Sequence, residues 1–147
     1  MNENYRSLIP ISLAVFGLGV VVGNVTSFTG VAAAQSANRV FELRTYTAHP
    51  DRLEELHARF GDHTLALFAR HGMTNIGYFE PQDEPPSEDT LVYLLAHADR
   101  AAAEASWAAF RDDPDWQRVA EETRRNGRLV ANVESVFLNP TRYSPMQ

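Results

Sequence analysis

Residues 91–96, Leu-Val-Tyr-Leu-Leu-Ala, form an apolar run with no charged or amide side chain, and this run constrains the fold most. Its aromatic and β-branched content predicts a strand over residues 90–97. Successive side chains of a strand point to opposite faces of the sheet. A strand with one solvent-exposed face alternates apolar and polar residues. Residues 91–96 do not alternate, so we expect both faces of this sheet to be covered.

The segments on either side of this run alternate between strand and helix patterns. Strands are predicted at residues 39–47, 75–80, 90–97 and 129–138, and helices at residues 51–70, 100–110 and 114–124. The order β-α-β-β-α-β predicts an α+β domain built on the ferredoxin-like unit. Helices in such a domain cover one sheet face. A homodimer built sheet to sheet would cover the other face, and the alternative is a monomer with an exposed apolar surface.

The N-terminal segment has a pattern of its own. Residues 8–25 are almost continuously apolar, Arg6 precedes them, and an Ala-Ala-Ala stretch ends at Ala34. This order is typical of a secretory signal peptide cleaved after Ala34. An uncleaved membrane anchor is the alternative, because a spanning helix needs about 20 apolar residues. We therefore predict an exported protein, periplasmic or secreted, that comprises a signal segment (residues 1–34), a short linker (35–38) and a folded domain (39–147).

Composition and missing motifs exclude several kinds of chemistry. The chain has no cysteine, which excludes disulfides, thiolate nucleophiles and cysteine-ligated metals. All 13 basic residues are arginines, so no lysine Schiff base can form. The net charge of −6 argues against a nucleic-acid partner. The sequence contains no GxSxG, GxGxxG or P-loop motif.

Strand one carries an unusual polar row. Glu42, Arg44 and Tyr46 alternate with apolar or small residues and share one face. If that face is buried, Glu42 and Arg44 must be paired, and Glu134 of strand four is a candidate to join them. One interpretation is a ligand-orienting cluster with Arg44 as an anion anchor. The alternative is a structural ion pair that fixes the register of a dimer.

Histidines and aromatic residues supply the remaining candidates. None of the five histidines is four residues from another, so no helical metal site is predicted. His63 could face a pocket as a base or a haem ligand, or it could be a solvated histidine. A pocket between sheet and helices would touch Tyr46, Tyr78 or His63. Trp107, Phe110 and Val119 are assigned to the core.

Four short segments carry a resemblance to a known family. They are FELRTYTAHP in strand one, RHGM after helix one, DDPDW in the second helical region and NPTRYSP near the end. In this order and spacing they resemble the NIPSNAP family, within the dimeric α+β barrel superfamily. The family often has glycine after the proline of the first segment, where this chain has Asp51.

The resemblance implies a fold more than an activity. It implies a dimeric α+β barrel, similar to small proteins that include cofactor-free monooxygenases and haem-handling enzymes. Eukaryotic relatives are associated with vesicle traffic and mitophagy signalling, and no catalytic residue set can be carried over. Two functions stay open: a pocket that binds a small molecule or acts without a cofactor, and an interaction module without chemistry. No cofactor is predicted, with haem as the alternative.

Overall fold

The computed structural model describes residues 39–146, and the predicted signal segment lies outside them. The regular elements are β1 (Val40–Ala48), α1 (Leu53–Arg59), α2 (Leu65–Arg70), β2 (Thr74–Phe79), β3 (Thr90–His97), α3 (Arg100–Asp112), α4 (Pro114–Glu122) and β4 (Val130–Leu138). The strands form one antiparallel sheet in the order β2-β3-β1-β4. The predicted fold class, α+β with the ferredoxin-like order, is confirmed. No helix in residues 39–146 is long and apolar enough to cross a membrane.

The first predicted helix is continuous but not uniformly α-helical. A π-helical turn, Phe60–Thr64, joins α1 to α2, and the N–H of Leu65 donates to the carbonyl of Phe60 five residues earlier. The hydroxyl of Thr64 donates to the carbonyl of Arg59 at 3.1 Å inside the core. A π turn inserts one extra residue and shifts the side chains that follow. Arg59 and Thr64, five residues apart, are thereby brought to the same region.

The turns follow from individual residues. Asp51 stands where the family often has glycine, and it takes the left-handed conformation with φ of 61°, which aspartate tolerates better than most residues. Asp99 caps α3 by accepting from the N–H of Ala102. Asp113 caps α4 by accepting from the N–H groups of Asp115 and Trp116.

One face of the sheet packs against the helices. Tyr93 of β3 is fully buried at its centre. The rings of Tyr46, Phe60, Phe68 and Tyr78 surround it, with centroids 5.2–6.0 Å away. This aromatic cluster joins β1, β2 and β3 to the first helical region and stabilises the layered arrangement.

The opposite face of the sheet is apolar and largely open. Leu43 of β1 lies between Leu94 of β3 and Val136 of β4 on this face. Val136 is 52% exposed, and Phe79 at the β2 edge is 58% exposed. Residues 139–146 cover only the end near Phe41. Tyr93 of β3 points toward the helices and Leu94 toward the open face, so β3 is apolar on both faces, while cover of the open face stays a prediction.

Candidate functional site

Glu42 is the centre of a buried polar cluster on the helix-covered face. Its carboxylate is 1% exposed and accepts four hydrogen bonds. One oxygen accepts from Arg44 (2.6 Å) and the Ser135 hydroxyl (2.7 Å). The other accepts from the Trp107 indole N–H (2.6 Å) and His97 Nε2 (3.1 Å), which must carry a proton because the carboxylate only accepts. Both oxygens of Glu42 are therefore paired within the protein, and a groove of about 310 Å³ lies beside Arg44, Trp107 and Ser135 of this cluster.

Hydrogen bonding decides the charge state of this cluster. Burial by itself would raise the pKa of Glu42, but the hydrogen bonds from His97, Trp107, Ser135 and Arg44 outweigh burial and lower that pKa from 4.5 to about 2. The carboxylate is thus ionised at neutral pH. All four hydrogen bonds to this carboxylate come from the protein itself, which favours the structural interpretation of the Glu42–Arg44 pair.

Arg44 connects this cluster to Tyr46. Its guanidinium donates to Glu42, lies 4.3 Å from the Trp107 ring centroid, and has a long contact of 3.4 Å with the Tyr46 hydroxyl. Burial would lower the pKa of Arg44, whereas the neighbouring Tyr93, Tyr46 and Glu42 raise it above its ordinary value. The sequence-based grouping of Glu42, Arg44 and Tyr46 on one face is observed in the structure.

The predicted place of Glu134 beside Arg44 is wrong. The register pairs Thr45 with Glu134 and Arg44 with Ser135. Since directly opposed residues share a face, Glu134 lies on the open side of the sheet. There it is exposed and contacts Asn132. Ser135, one residue later, occupies the position beside Glu42.

A cavity of about 250 Å³ lies between the sheet and the helices, next to this cluster. Aromatic and aliphatic side chains together form most of its wall. The aromatic residues are Tyr46, Phe60, Phe68, Phe110 and Trp116, and the aliphatic ones are Ala120, Leu129, Val130 and Val133. The cavity thus has the concave and mostly apolar character of small-molecule sites.

Arg59 is a charged residue that is buried in the wall of this cavity. It is only 9% exposed, and no acidic side chain pairs with it in residues 39–146. Its guanidinium lies 5.4 Å from the ring centroid of Trp116. Its Nε is buried without an acceptor in that same part of the chain. Burial lowers the pKa of Arg59, although an arginine remains charged at neutral pH.

The other predicted site residues lie in different surroundings. Tyr78 stacks on Tyr93 and donates to Asn75 at 2.6 Å, and burial raises its pKa well above the usual range. His63 lines a separate shallow groove whose charged residues include Asp62 and Arg118. No histidine lines the aromatic cavity. The cavity, at about 250 Å³, is also below the usual 300–1,000 Å³ of drug-sized sites.

Two contributors to these sites were missed in the sequence. The histidine spacing gave His97 no role, yet His97 continues the inward row of Tyr93 and Leu95 at a spacing of two. Arg59 follows Leu56 by three residues and therefore sits on the buried stripe of the first helix. Periodicity contained both signals. Trp107 was assigned to the core, but its polar role was not anticipated.

Comparisons with known proteins agree with the fold. A family model described as NIPSNAP matches residues 41–145. A NIPSNAP-like domain protein from Burkholderia xenovorans is 23% identical over 74% of this chain and 90% of its own, with a TM-score of 0.64. A NIPSNAP family protein from Agrobacterium tumefaciens is 21% identical over 76% and 96%, with a TM-score of 0.65.

A more remote structure extends the comparison. A cofactor-independent oxygenase from Streptomyces nogalater is 20% identical over 74% of this chain and 99% of its own, with a TM-score of 0.50. At these identities the likeness shows the fold alone. A comparison with curated protein sequences finds no match.

Proposed function

This chain belongs to the NIPSNAP family, and we propose that it binds a small organic molecule in the aromatic cavity between its sheet and its helices. The observation that carries the proposal is the cavity itself, about 250 Å³ with a buried, unpaired Arg59 in its wall. A dry cavity of about 150 Å³ suffices for benzene, so this one has room for a single substituted ring or a short chain.

Binding is proposed ahead of catalysis because of what the wall contains. Within residues 39–146, Tyr46 is the one titratable side chain besides the arginines that lines the cavity, and no histidine or carboxylate does. A cofactor-independent enzyme, as the Streptomyces relative is described, would need a base or an electrophile at the reacting atom. Tyr46 is the candidate for such a role, and activity is the second proposal.

Filling the cavity tests the proposed function. Ala120 on α4 is 4% exposed and lines the cavity, so Ala120→Leu would place three extra carbons where a ligand is proposed to sit. We expect single-ring compounds to bind the full chain in ligand-observed NMR, and the variant to bind them at least about tenfold more weakly. Its thermal stability should hold or rise, because a void is filled.

The matched control is Ala109→Leu on the exposed side of α3, which adds the same carbons away from the cavity. Its binding should equal that of the unmodified protein. If both variants bind like the unmodified chain, or if no compound binds, the cavity is not a ligand site. The alternative function, an interaction module without chemistry, would then gain support.

The proposed partner for the open sheet face is a second copy of the chain. This face exposes Phe79, Val136 and Leu138 by 40–58%, and an apolar surface of this kind on a soluble domain indicates an interface. Two identical sheets can cover each other through a two-fold axis. The membrane enters as a partner only if the N-terminal segment is retained as an anchor.

A charge on the open face should dissociate the proposed dimer. In Val136→Asp the carboxylate would be buried at the interface, while a single chain would keep it in solvent. Sedimentation velocity at micromolar concentration should give a dimer for the unmodified chain and a monomer for the variant. Ala108→Asp on the exposed side of α3 is the control and should stay dimeric. A monomeric unmodified chain would refute the dimer.

A further inference from the structure

We propose that the molecule held in the aromatic cavity is a small carboxylic acid with an apolar body, bound by its carboxylate to Arg59. This inference rests on the proposed binding function and names its ligand class. It depends on three observations: an unmatched buried charge, the sign of the charges along the wall, and the apolar character of the remaining surface.

The first observation is the unmatched charge of Arg59. A buried charge without a partner is among the least favourable features of a folded protein. Arg44, the comparable arginine on the same side of the sheet, has its carboxylate in Glu42 at 2.6 Å. Arg59 has only the face of Trp116 and, in residues 39–146, no acidic neighbour within bonding distance. An anionic ligand would supply the negatively charged partner that Arg59 lacks in residues 39–146.

The second observation is the sign of charge around the cavity. In the part of the chain that the structure describes, the lining includes Arg59, Arg124 and Arg128 and no acidic residue, although the net charge of the chain is −6. Arg124 and Arg128 are exposed at residues that follow α4, whereas Arg59 is buried. Exposed positive charges at a cavity raise the local concentration of anions. The arrangement therefore favours entry of an anion and its pairing with the inner arginine.

The third observation, the apolar character of the remaining wall, favours a carboxylate over a larger anion as the ligand group. A guanidinium binds a carboxylate through two parallel N–H···O bonds. The rest of the inner wall is aromatic and aliphatic, so it offers few donors for the extra oxygens of a phosphate or a sugar acid. One planar charged group and one apolar body match the single buried arginine and the rings around it. A monocyclic aromatic acid fits a volume of about 250 Å³.

A π turn directly follows Arg59 in this wall of the cavity. Thr64, the last residue of the turn Phe60–Thr64, lines the same cavity as Arg59. Its hydroxyl donates to the carbonyl of Arg59 at 3.1 Å. π turns within helices are frequent at functional sites. The turn thus places Thr64 and the buried arginine side by side in the cavity wall.

The test compares an acid with its neutral amide. Phenylacetate and phenylacetamide have the same shape and differ in charge, and both are titrated into the full chain by calorimetry. We expect phenylacetate to bind at least tenfold more tightly than phenylacetamide. Arg59→Gln should remove this preference, and Arg59→Lys should reduce it while keeping some of it, because a lysine retains the charge but not the fork. Arg118→Gln, an exposed arginine on α4, should leave the preference unchanged.

A second readout does not depend on affinity. Without ligand, Arg59→Gln should be at least as thermally stable as the unmodified chain, because an unpaired buried charge is removed. Phenylacetate should raise the melting temperature of the unmodified chain and not that of the variant. A strongly destabilised Arg59→Gln would show that Arg59 serves the fold, and it would overturn the assignment.

The outcomes separate the two proposals. If the acid and the amide bind equally and Ala120→Leu weakens both, the cavity is a binding site but the carboxylate assignment is wrong. If neither compound binds, the binding function itself fails for ligands of this size, and the assignment fails with it. If Arg118→Gln lowers the preference as much as Arg59→Gln, the effect is one of net charge and the assignment is also wrong.

Discussion

Replacing Glu42 by glutamine is expected to lower the free energy of unfolding by about 3–5 kcal/mol, the usual cost of breaking a buried ion pair. The carboxylate accepts from four groups, two at each oxygen. A glutamine amide must place its NH₂ at one of those positions. There it would face a group that can only donate, either Arg44 or the Trp107 indole N–H. Neither orientation of the amide avoids this conflict.

Chemical denaturation of the full chain measures this effect. Glu134→Gln is the matched control, since it makes the same chemical change on the neighbouring strand where Glu134 is exposed. It should stay within about 0.5 kcal/mol of the unmodified protein. Arg44→Gln should fall between the two, because Glu42 would keep three of its donors. If Glu42→Gln is as mild as the control, the cluster does not hold the fold together.

The alternation of side chains between the two faces of strand one could be predicted from the sequence alone. It put Glu42, Arg44 and Tyr46 on one face, and the requirement that a buried charge be paired led to the Glu42–Arg44 pair. The element order was equally accessible, because helix and strand periodicities are local properties. These parts of the fold follow from neighbouring residues alone.

The partner on strand four was a different problem. Whether Glu134 or Ser135 faces Arg44 depends on the register between two strands that lie far apart in the chain. A slip of one residue reverses every side chain of a strand. The sequence offers no short hairpin between β1 and β4 that would fix this register. The sequence favoured Glu134 because a carboxylate can pair with Arg44, and the structure places the neutral Ser135 there instead.

The cavity was hidden for a related reason. Arg59 occupies a core position of the helical stripe, but an arginine in such a position can equally extend to solvent. The π turn shifts the residues after it, which include Phe68 of the cavity wall, and a uniform helical period does not describe that shift. Periodicity could therefore place Arg59 on the buried stripe, but the cavity beside it forms only when α1, α4 and β4 are assembled.

The acid stability of the protein provides the last prediction. The folded-state pKa of Glu42 is lowered to about 2 from an unfolded value of 4.5, with burial opposed by the hydrogen bonds from its four partners. A lowered folded pKa stabilises the folded protein above the unfolded value, and this stabilisation is lost as the pH falls toward the folded value. We therefore expect up to about 3 kcal/mol of stability to disappear between about pH 4.5 and about pH 2.

Glu42→Gln isolates this contribution, because Asp113 acts in the same pH range. The hydrogen bond from His71 is the main reason that the pKa of Asp113 is also about 2. The difference in unfolding free energy between the unmodified chain and Glu42→Gln removes the Asp113 contribution, which both proteins share. That difference should be constant above about pH 5 and shrink steadily below it. A difference that stays constant down to about pH 2.5 would mean that Glu42 keeps an ordinary pKa, and that the four hydrogen bonds do not hold its charge.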